Sequence, residues 1–317
     1  MEYVHENGTQ PGRLYVNAAG RVTGIWFGAP VRREDSLAQI LTELEALSGA
    51  TALTVREDGA LPLVAYHSTE PLAVGSTFKL AILKTLVDRV AAGKARWSDT
   101  LALREEQVSL PSGMLQDWPA GAPLTLHTLA TLMVSISDNT ATDLLLAHLG
   151  REAVELASPA RNRPFLSTRE MFTLKSRGNE ALAERYAQAP EAERRKILAR
   201  LADPPHSRLQ PHTEPRHVRD IEWFFSTDEL CTLMLSLKAA DVLGVNRGLV
   251  AKDSWARTVR YKGGSEPGVL NLTHALQRRP GDPWYCVSAT WNDPDGHLDE
   301  EAFSSLVVRA INVLGKR

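Results

Sequence analysis

The chain has 317 residues, 43% of them hydrophobic and 23% charged, and a formal net charge of -2. That is the makeup of an ordinary globular protein, long enough for one large domain or two modest ones. It carries no basic surplus to hold a nucleic acid or an anionic membrane surface, and no apolar run long enough to span a membrane.

In chain order, "RLYVNAAGRVTGIWFG" (13–28) alternates apolar and polar residues around "NAAG" and predicts a β-hairpin. In "EDSLAQILTELEALSGA", Leu37, Ile40, Leu41, Leu44 and Leu47 recur at helical spacing behind Asp35 or Ser36 as cap. "TALTVRED" and "LPLVAYHS" flank a glycine turn as a second hairpin. A helix is expected over 76–92, ended by Gly93.

Residues 100–240 read as helices joined by Pro-rich connectors, with no clear strand. Three strands follow, "WARTVRYK", "VLNLTHALQ" and "WYCVSATWN", then a final amphipathic helix, "DEEAFSSLVVRAINVL". Strands at the two ends of the chain can pair into one antiparallel sheet, leaving the middle as a helical lobe and a cleft between them. The fold class is therefore α+β, an antiparallel sheet flanked by helices with an inserted all-helical lobe.

The N-terminus lacks the basic start and apolar run of a secretory signal, so the compartment is left unset. Cys231 and Cys286 each lie in an apolar segment and read as small buried residues, neither a disulfide framework nor a metal cage. His206, His212 and His217 share a Pro-rich loop with Glu214 and Asp220. Their spacing matches no compact ligand motif, so no metal is expected there.

Ser76 and Lys79, in "AVGSTFKLAIL", are spaced so that both side chains leave one face of a helix start. A desolvated lysine there can take the proton of a serine hydroxyl, and the helix start offers its free N–H groups to an oxyanion. Taken alone, Ser76 reads first as a helix cap, since a serine before an apolar helix is more often that. "ISDNTATDLLL" sets Ser137, Asp138 and Asn139 between two apolar helices, where an N-cap would also explain them. "RYKGGSEPGV" sets Lys262, Gly263, Gly264 and Ser265 at a strand end, where a glycine turn or bulge is the plain alternative.

Together, in this order, the three motifs resemble the S-x-x-K, S-D-N and K-T-G set of the serine β-lactamases and penicillin-binding proteins, most closely the class A β-lactamases. The resemblance runs from about residue 34 to the C-terminus. It implies a hydrolase domain over 31–317, with a sheet subdomain at 31–75 and 226–317 and a helical lobe at about 76–225. Residues 1–30 stand apart, and their hairpin is similar to the last strands of the ketosteroid-isomerase-like domain that precedes this domain in some relatives.

The resemblance implies that Ser76 attacks a carbonyl to form an acyl-enzyme while Lys79 takes its proton. Ser137 would relay a proton to the leaving group, Asn139 would bond Lys79 and the substrate, and Lys262 would orient Ser137 and attract a carboxylate. The amides of Ser76 and Ser265 would form the oxyanion hole, beside Gly263 and Gly264. The substrate is a small molecule, a β-lactam, ester or peptidoglycan-like peptide, and no cofactor is implied. The family's usual compartment is periplasmic or extracellular.

Two departures stand out. No Glu-x-x-Leu-Asn string supplies the deacylating glutamate of class A members; Glu170, Glu214 and Glu222 are the stand-ins, and if none serves, the acyl-enzyme would persist or be resolved by another acceptor. The alternatives to a β-lactamase-like hydrolase are an esterase or D,D-peptidase of the same fold, or a penicillin-binding sensor that acylates without turnover. Lys-Gly-Gly also replaces Lys-Thr-Gly, removing a hydroxyl that helps bind the substrate carboxylate. Trp118 falls on a loop that flanks the cleft in relatives.

Overall fold

The protein is described by a computed structural model that covers residues 1–6, 8–27, 31–32, 34–201 and 212–317. The chain starts in a small antiparallel sheet. β1 (Glu2–His5), β2 (Gly8–Val16) and β3 (Val22–Phe27) lie side by side, and β4 (Val31–Arg32) adds to β2. The hairpin expected around "NAAG" is β2–β3.

Helix α1 (Leu37–Glu45) begins on a capping box, in which Ser36 and Gln39 satisfy each other's backbone N–H groups. Strands β5 (Ala50–Glu57) and β6 (Pro62–Tyr66) form the second expected hairpin, and β7 (Leu72–Ala73) is a two-residue strand. Helix α2 (Lys79–Ala91) then opens the helical lobe. It is followed by β8 (Thr100–Ala102), β9 (Pro123–Thr125), α3 (Leu126–Ser135), α4 (Asn139–Leu149), α5 (Arg151–Leu156), α6 (Thr168–Leu174), α7 (Glu180–Gln188) and α8 (Glu191–Ala199).

After β10 (Phe224–Phe225), helix α9 (Thr227–Ser236) returns the chain to the main sheet. There β11 (Thr258–Glu266), β12 (Val269–Gln277) and β13 (Trp284–Asn292) precede the closing helix α10 (Glu300–Gly315). The main sheet runs β11-β12-β13-β5-β6, antiparallel throughout, so the two ends of the chain meet where β13 pairs with β5. The middle of the chain is not free of strands, as its periodicity suggested: β7 pairs with β10 and β8 with β9. Pieces of two or three residues are too short to show a two-residue alternation.

Every residue of β12 is buried, because the sheet is covered on both faces. On one side Ile40, Leu44, Phe303 and Ile311 from α1 and α10 pack on Val55, Leu276 and Val287. Arg309, 3% exposed, locks those helices together by bonding Asp35 and Glu43. Its desolvation is offset by four charge-assisted hydrogen bonds.

On the other side lies the core of the lobe, where Phe78 stacks on Trp223 with ring centroids 3.6 Å apart. Here α9 crosses β13 and joins Cys231 to Cys286 in a disulfide, with Cα atoms 5.6 Å apart. The reading of both cysteines as unpaired core residues is thereby corrected. They are 55 residues apart in sequence, and only the packing of the helix on the sheet brings their apolar faces together.

Candidate functional site

Of the eleven residues from Ala73 to Leu83, Ser76 alone is not buried. The chain here is a 3-10 turn over Gly75–Phe78 that passes directly into α2, and no side chain caps either segment. The capping reading of Ser76 is corrected: the turn moves the α-helix start to Lys79 and leaves the hydroxyl unused. In a 3-10 turn, side chains three apart eclipse, which sets Lys79 directly beneath Ser76.

Between α3 and α4 the chain turns sharply, with Ser137 at φ +59°, a conformation that costs a residue with a Cβ. Surrounding bonds hold it there. Asp138 caps α4 by accepting from Ala141 N at 2.8 Å, while its other oxygen accepts from Met114 N and Leu115 N at 2.7 and 3.0 Å. Ser112 donates its hydroxyl to the Ser137 carbonyl at 2.7 Å, and the Asn139 amide group donates to the Leu110 carbonyl at 3.0 Å. The cap and the side-chain constellation therefore coexist at this motif, Asp138 serving the helix and its two neighbours facing Lys79.

Strand β11 runs unbroken through Lys262, Gly263, Gly264 and Ser265 to Glu266, in regular register with β12. The expected glycine turn or bulge is absent. The glycines serve close approach instead. A Cβ on Gly264 would lie 2.4 Å from Ser76 N, and one on Gly75, itself at φ +47°, would lie 3.0 Å from Ser265 N. Any side chain at Gly264 would obstruct the amide of Ser76.

The three motifs meet at one atom. Lys79 Nζ lies 3.0 Å from Ser137 Oγ, and Lys262 Nζ reaches the same oxygen at 3.1 Å. Lys79 also donates to the Ser137 carbonyl and to Asn139 Oδ1, each at 2.7 Å. Burial, and next the charge of Lys262, hold the Lys79 ammonium well below the usual lysine range, against the opposing pull of Asp143 and Asp138. Burial lowers Lys262 to about 7.

Two of the three partners of Lys79 are carbonyl oxygens and can only accept. A neutral amine would spend its two N–H bonds on them and turn its lone pair toward the Ser137 hydroxyl. Ser137 is then able to donate to Lys79 while accepting from the Lys262 ammonium.

A cavity of about 10 Å³, room for about one water, adjoins Ser76, with Asn139, Thr168, Trp223 and Ser265 among its walls. The carboxylate in its lining is Glu266, a residue the motifs gave no reason to select. A wider cleft of about 190 Å³ continues past Ser265 to His212, Glu214 and Arg216.

The three glutamates weighed from sequence lie elsewhere than the small cavity. Glu170 closes the capping box of α6 and pairs with Arg151 at 2.6 Å. Glu222 is buried against Lys175 at 2.6 Å, and Glu214 lines the wider cleft with its carboxylate 3.1 Å from His297.

Trp118 is 40% exposed just beyond the segment tied to Asp138. His217 pairs with Asp220 and His212 lies 3.9 Å from Glu180. His206 lies outside the described residues, among which no cluster of three His, Cys, Asp or Glu is arranged to hold a metal.

A protein of known structure, the β-lactamase of Sphaerobacter thermophilus, superposes with a TM-score of 0.60 over 89% of this chain and 99% of its own, at 20% identity. This is the fold of the class A β-lactamases. The fold also matches a PBP-A mutant solved as an acyl-enzyme complex with penicillin G, with a TM-score of 0.55 over 87% of this chain and 96% of that one, at 18% identity.

Residues 33–173 match the model of the beta-lactamase enzyme family. A β-lactamase of Rhodobacter capsulatus is 24% identical over 254 residues, 79% of this chain and 78% of that protein. The resemblance carried by the three motifs thus extends over most of this β-lactamase-like chain. No helix among the described residues is long and apolar enough to cross a membrane.

Proposed function

We propose that the chain is a serine hydrolase that acts on β-lactams or related amides and esters through an acyl-enzyme at Ser76. The observation that carries this reading is the convergence of Lys79 and Lys262 on Ser137 Oγ, beside a serine that is the sole accessible residue of its segment. The PBP-A complex with penicillin G supports it, because that neighbour of the same fold is acylated.

In this mechanism Ser76 Oγ forms an ester bond to the carbonyl carbon, its proton passing to the lone pair of Lys79. The amides of Ser76 and Ser265 hold the developing oxyanion, a contribution of about 3–4 kcal/mol for a well-aimed donor. As the C–N or C–O bond breaks, Ser137 passes its proton to the leaving atom and recovers one from Lys79. Water then adds hydroxide to the acyl carbon and returns a proton to Ser76, releasing the acid. Lys262, buried with its ammonium at Ser137 Oγ, attracts a substrate carboxylate.

The catalytic domain in this reading is 31–317, with the N-terminal sheet as an appendage. The Cys231–Cys286 bond supports an oxidising compartment, where disulfides persist. A second reading, a penicillin-recognising module that acylates once and signals, draws on Glu266: Lys175 already engages the one carboxylate of the small cavity.

Intact-protein mass spectrometry after exposure to a penicillin and to an activated ester separates these. One covalent adduct is expected on the native protein and none on Ser76→Ala. Native protein left unmodified by every acylating probe would falsify the proposal, and a single stoichiometric burst without turnover would select the sensor.

A further inference from the structure

Lys175, buried at the end of α6, holds two carboxylates from distant parts of the chain. Its ammonium donates to Glu222 Oε1 at 2.6 Å and also to Glu266 Oε1. The Glu222 side chain is fully buried, whereas Glu266 walls both the small cavity beside Ser76 and the wider cleft. One desolvated cation is therefore shared between a carboxylate away from the small cavity and a carboxylate on its wall.

The two partners differ in how firmly they are held. Glu222 precedes Trp223, whose ring stacks on Phe78 and donates from Nε1 to the Leu166 carbonyl at 3.1 Å, and whose own carbonyl accepts from Val74 N at 3.1 Å. Glu266 is the last residue of β11, at the turn into β12. The second oxygen of Glu222, Oε2, is buried, and no described residue donates to it. An ammonium carries three N–H donors, and each needs an acceptor when water is excluded. An acceptor for the bond that Lys175 would lose on leaving Glu266 is thus present on Glu222.

We propose that Glu222 is a positioning residue for deacylation, drawing Lys175 onto itself and so releasing Glu266 to act on a water beside Ser76. This rests on the serine hydrolase reading above, taken with turnover, and deepens it by naming the residues that govern the fate of the acyl-enzyme. Once released, Glu266 accepts a proton from the water as hydroxide adds to the acyl carbon. That proton returns to Ser76 Oγ as the ester bond breaks.

Charge balance sets the direction of the effect. A buried ammonium needs a counter-charge, and Glu222 alone supplies it when Glu266 turns toward the water. With Glu222 made neutral, Glu266 is the one carboxylate still bonded to Lys175, and it stays there. The fold keeps a paired lysine in that variant, so it should survive the change.

The test follows the loss of the adduct by intact-protein mass spectrometry, after acylation with a penicillin and removal of the excess. Glu222→Gln is expected to lengthen the life of the adduct about tenfold or more, part of what a general base contributes. Glu222→Asp keeps the charge and is expected to recover part of the rate. Adding Lys175→Met to Glu222→Gln removes the competing cation together with its former partner, and is expected to return the decay to within about threefold of native, a cancellation that only coupled residues show. A purely structural fault would be deepened by the second substitution.

Unchanged decay in Glu222→Gln, or a double variant that decays no faster than Glu222→Gln, overturns the assignment. Native protein whose adduct never decays also overturns it, while leaving acylation at Ser76 in place. Native protein that forms no adduct overturns the hydrolase reading itself, and this inference with it, before any variant is compared.

Discussion

Lys79 Nζ lies 2.7 Å from Asn139 Oδ1, a bond that joins the start of α2 to the start of α4 across 60 residues of sequence. The other end of the same side chain donates to the Leu110 carbonyl, so Asn139 ties three segments together. Because its oxygen accepts one N–H of Lys79, it helps to aim the amine's lone pair. Asn139→Ala should therefore lower the acylation rate by about 10- to 100-fold. Lys79→Ala, which removes the proposed base, should lower it by about 10²- to 10⁴-fold. Rapid-mixing measurement of adduct formation checks both; equal, small effects would show that neither group handles the proton.

The two lysines also fix a pH profile. Lys79 acts as a base only when neutral, so acylation should rise as pH increases through its strongly lowered pKa. Lys262 loses its charge above about 7 in the free protein. A substrate carboxylate is attracted only below that point, so kcat/KM for an anionic substrate should decline on the alkaline side. A neutral ester should lack this decline. The comparison of two pH profiles checks it, and matching alkaline limbs would remove Lys262 from carboxylate binding.

Much of this site was legible in the sequence because three short strings each carry their chemistry locally. Ser76 with Lys79, Ser137 with Asn139, and Lys262 with Gly264 need only the spacing of a turn or strand to be placed. What was not legible depends on contacts between distant segments. Ser112 and Leu110 hold the Ser137 turn from a loop with no motif of its own, and the space beside Gly263 is filled by Tyr261 folding back along its own strand. The stand-in glutamates could be named but not ranked, since a carboxylate's role turns on its partner: Arg151 for Glu170, Lys175 for Glu222 and His297 for Glu214.

Glu266 is the carboxylate on the wall of the cavity beside Ser76, so in the turnover reading it is the candidate to activate a deacylating water. Its bond to Lys175 competes for that role, and Lys175 is shared with Glu222. Glu266→Gln should leave acylation within about threefold and lengthen the life of the acyl-enzyme by at least about tenfold, within the usual range for a general base. Lys175 keeps Glu222 as partner, so the fold should survive the change. Adduct decay followed by mass spectrometry gives the answer, and an unchanged decay would exclude Glu266 as the base.

The disulfide should matter to stability more than to chemistry. Cys231 lies on α9 and Cys286 on β13, within the core of the lobe, and neither touches Lys79, Ser137 or Lys262 by a hydrogen bond among the described residues. Joining residues 55 apart restricts the unfolded chain, and the chain-entropy treatment puts the effect at about 4 kcal/mol. The pair Cys231→Ala and Cys286→Ala should therefore unfold at lower denaturant concentration, by about 2–4 kcal/mol, while its acylation rate at Ser76 stays near that of native protein at 25 °C. Denaturant titration beside the adduct assay separates the two effects. Loss of acylation in a variant that is still folded would mean that the packing of α9 on β13 sets the geometry of the site, since β13 carries β12 and, through it, the strand that holds Lys262.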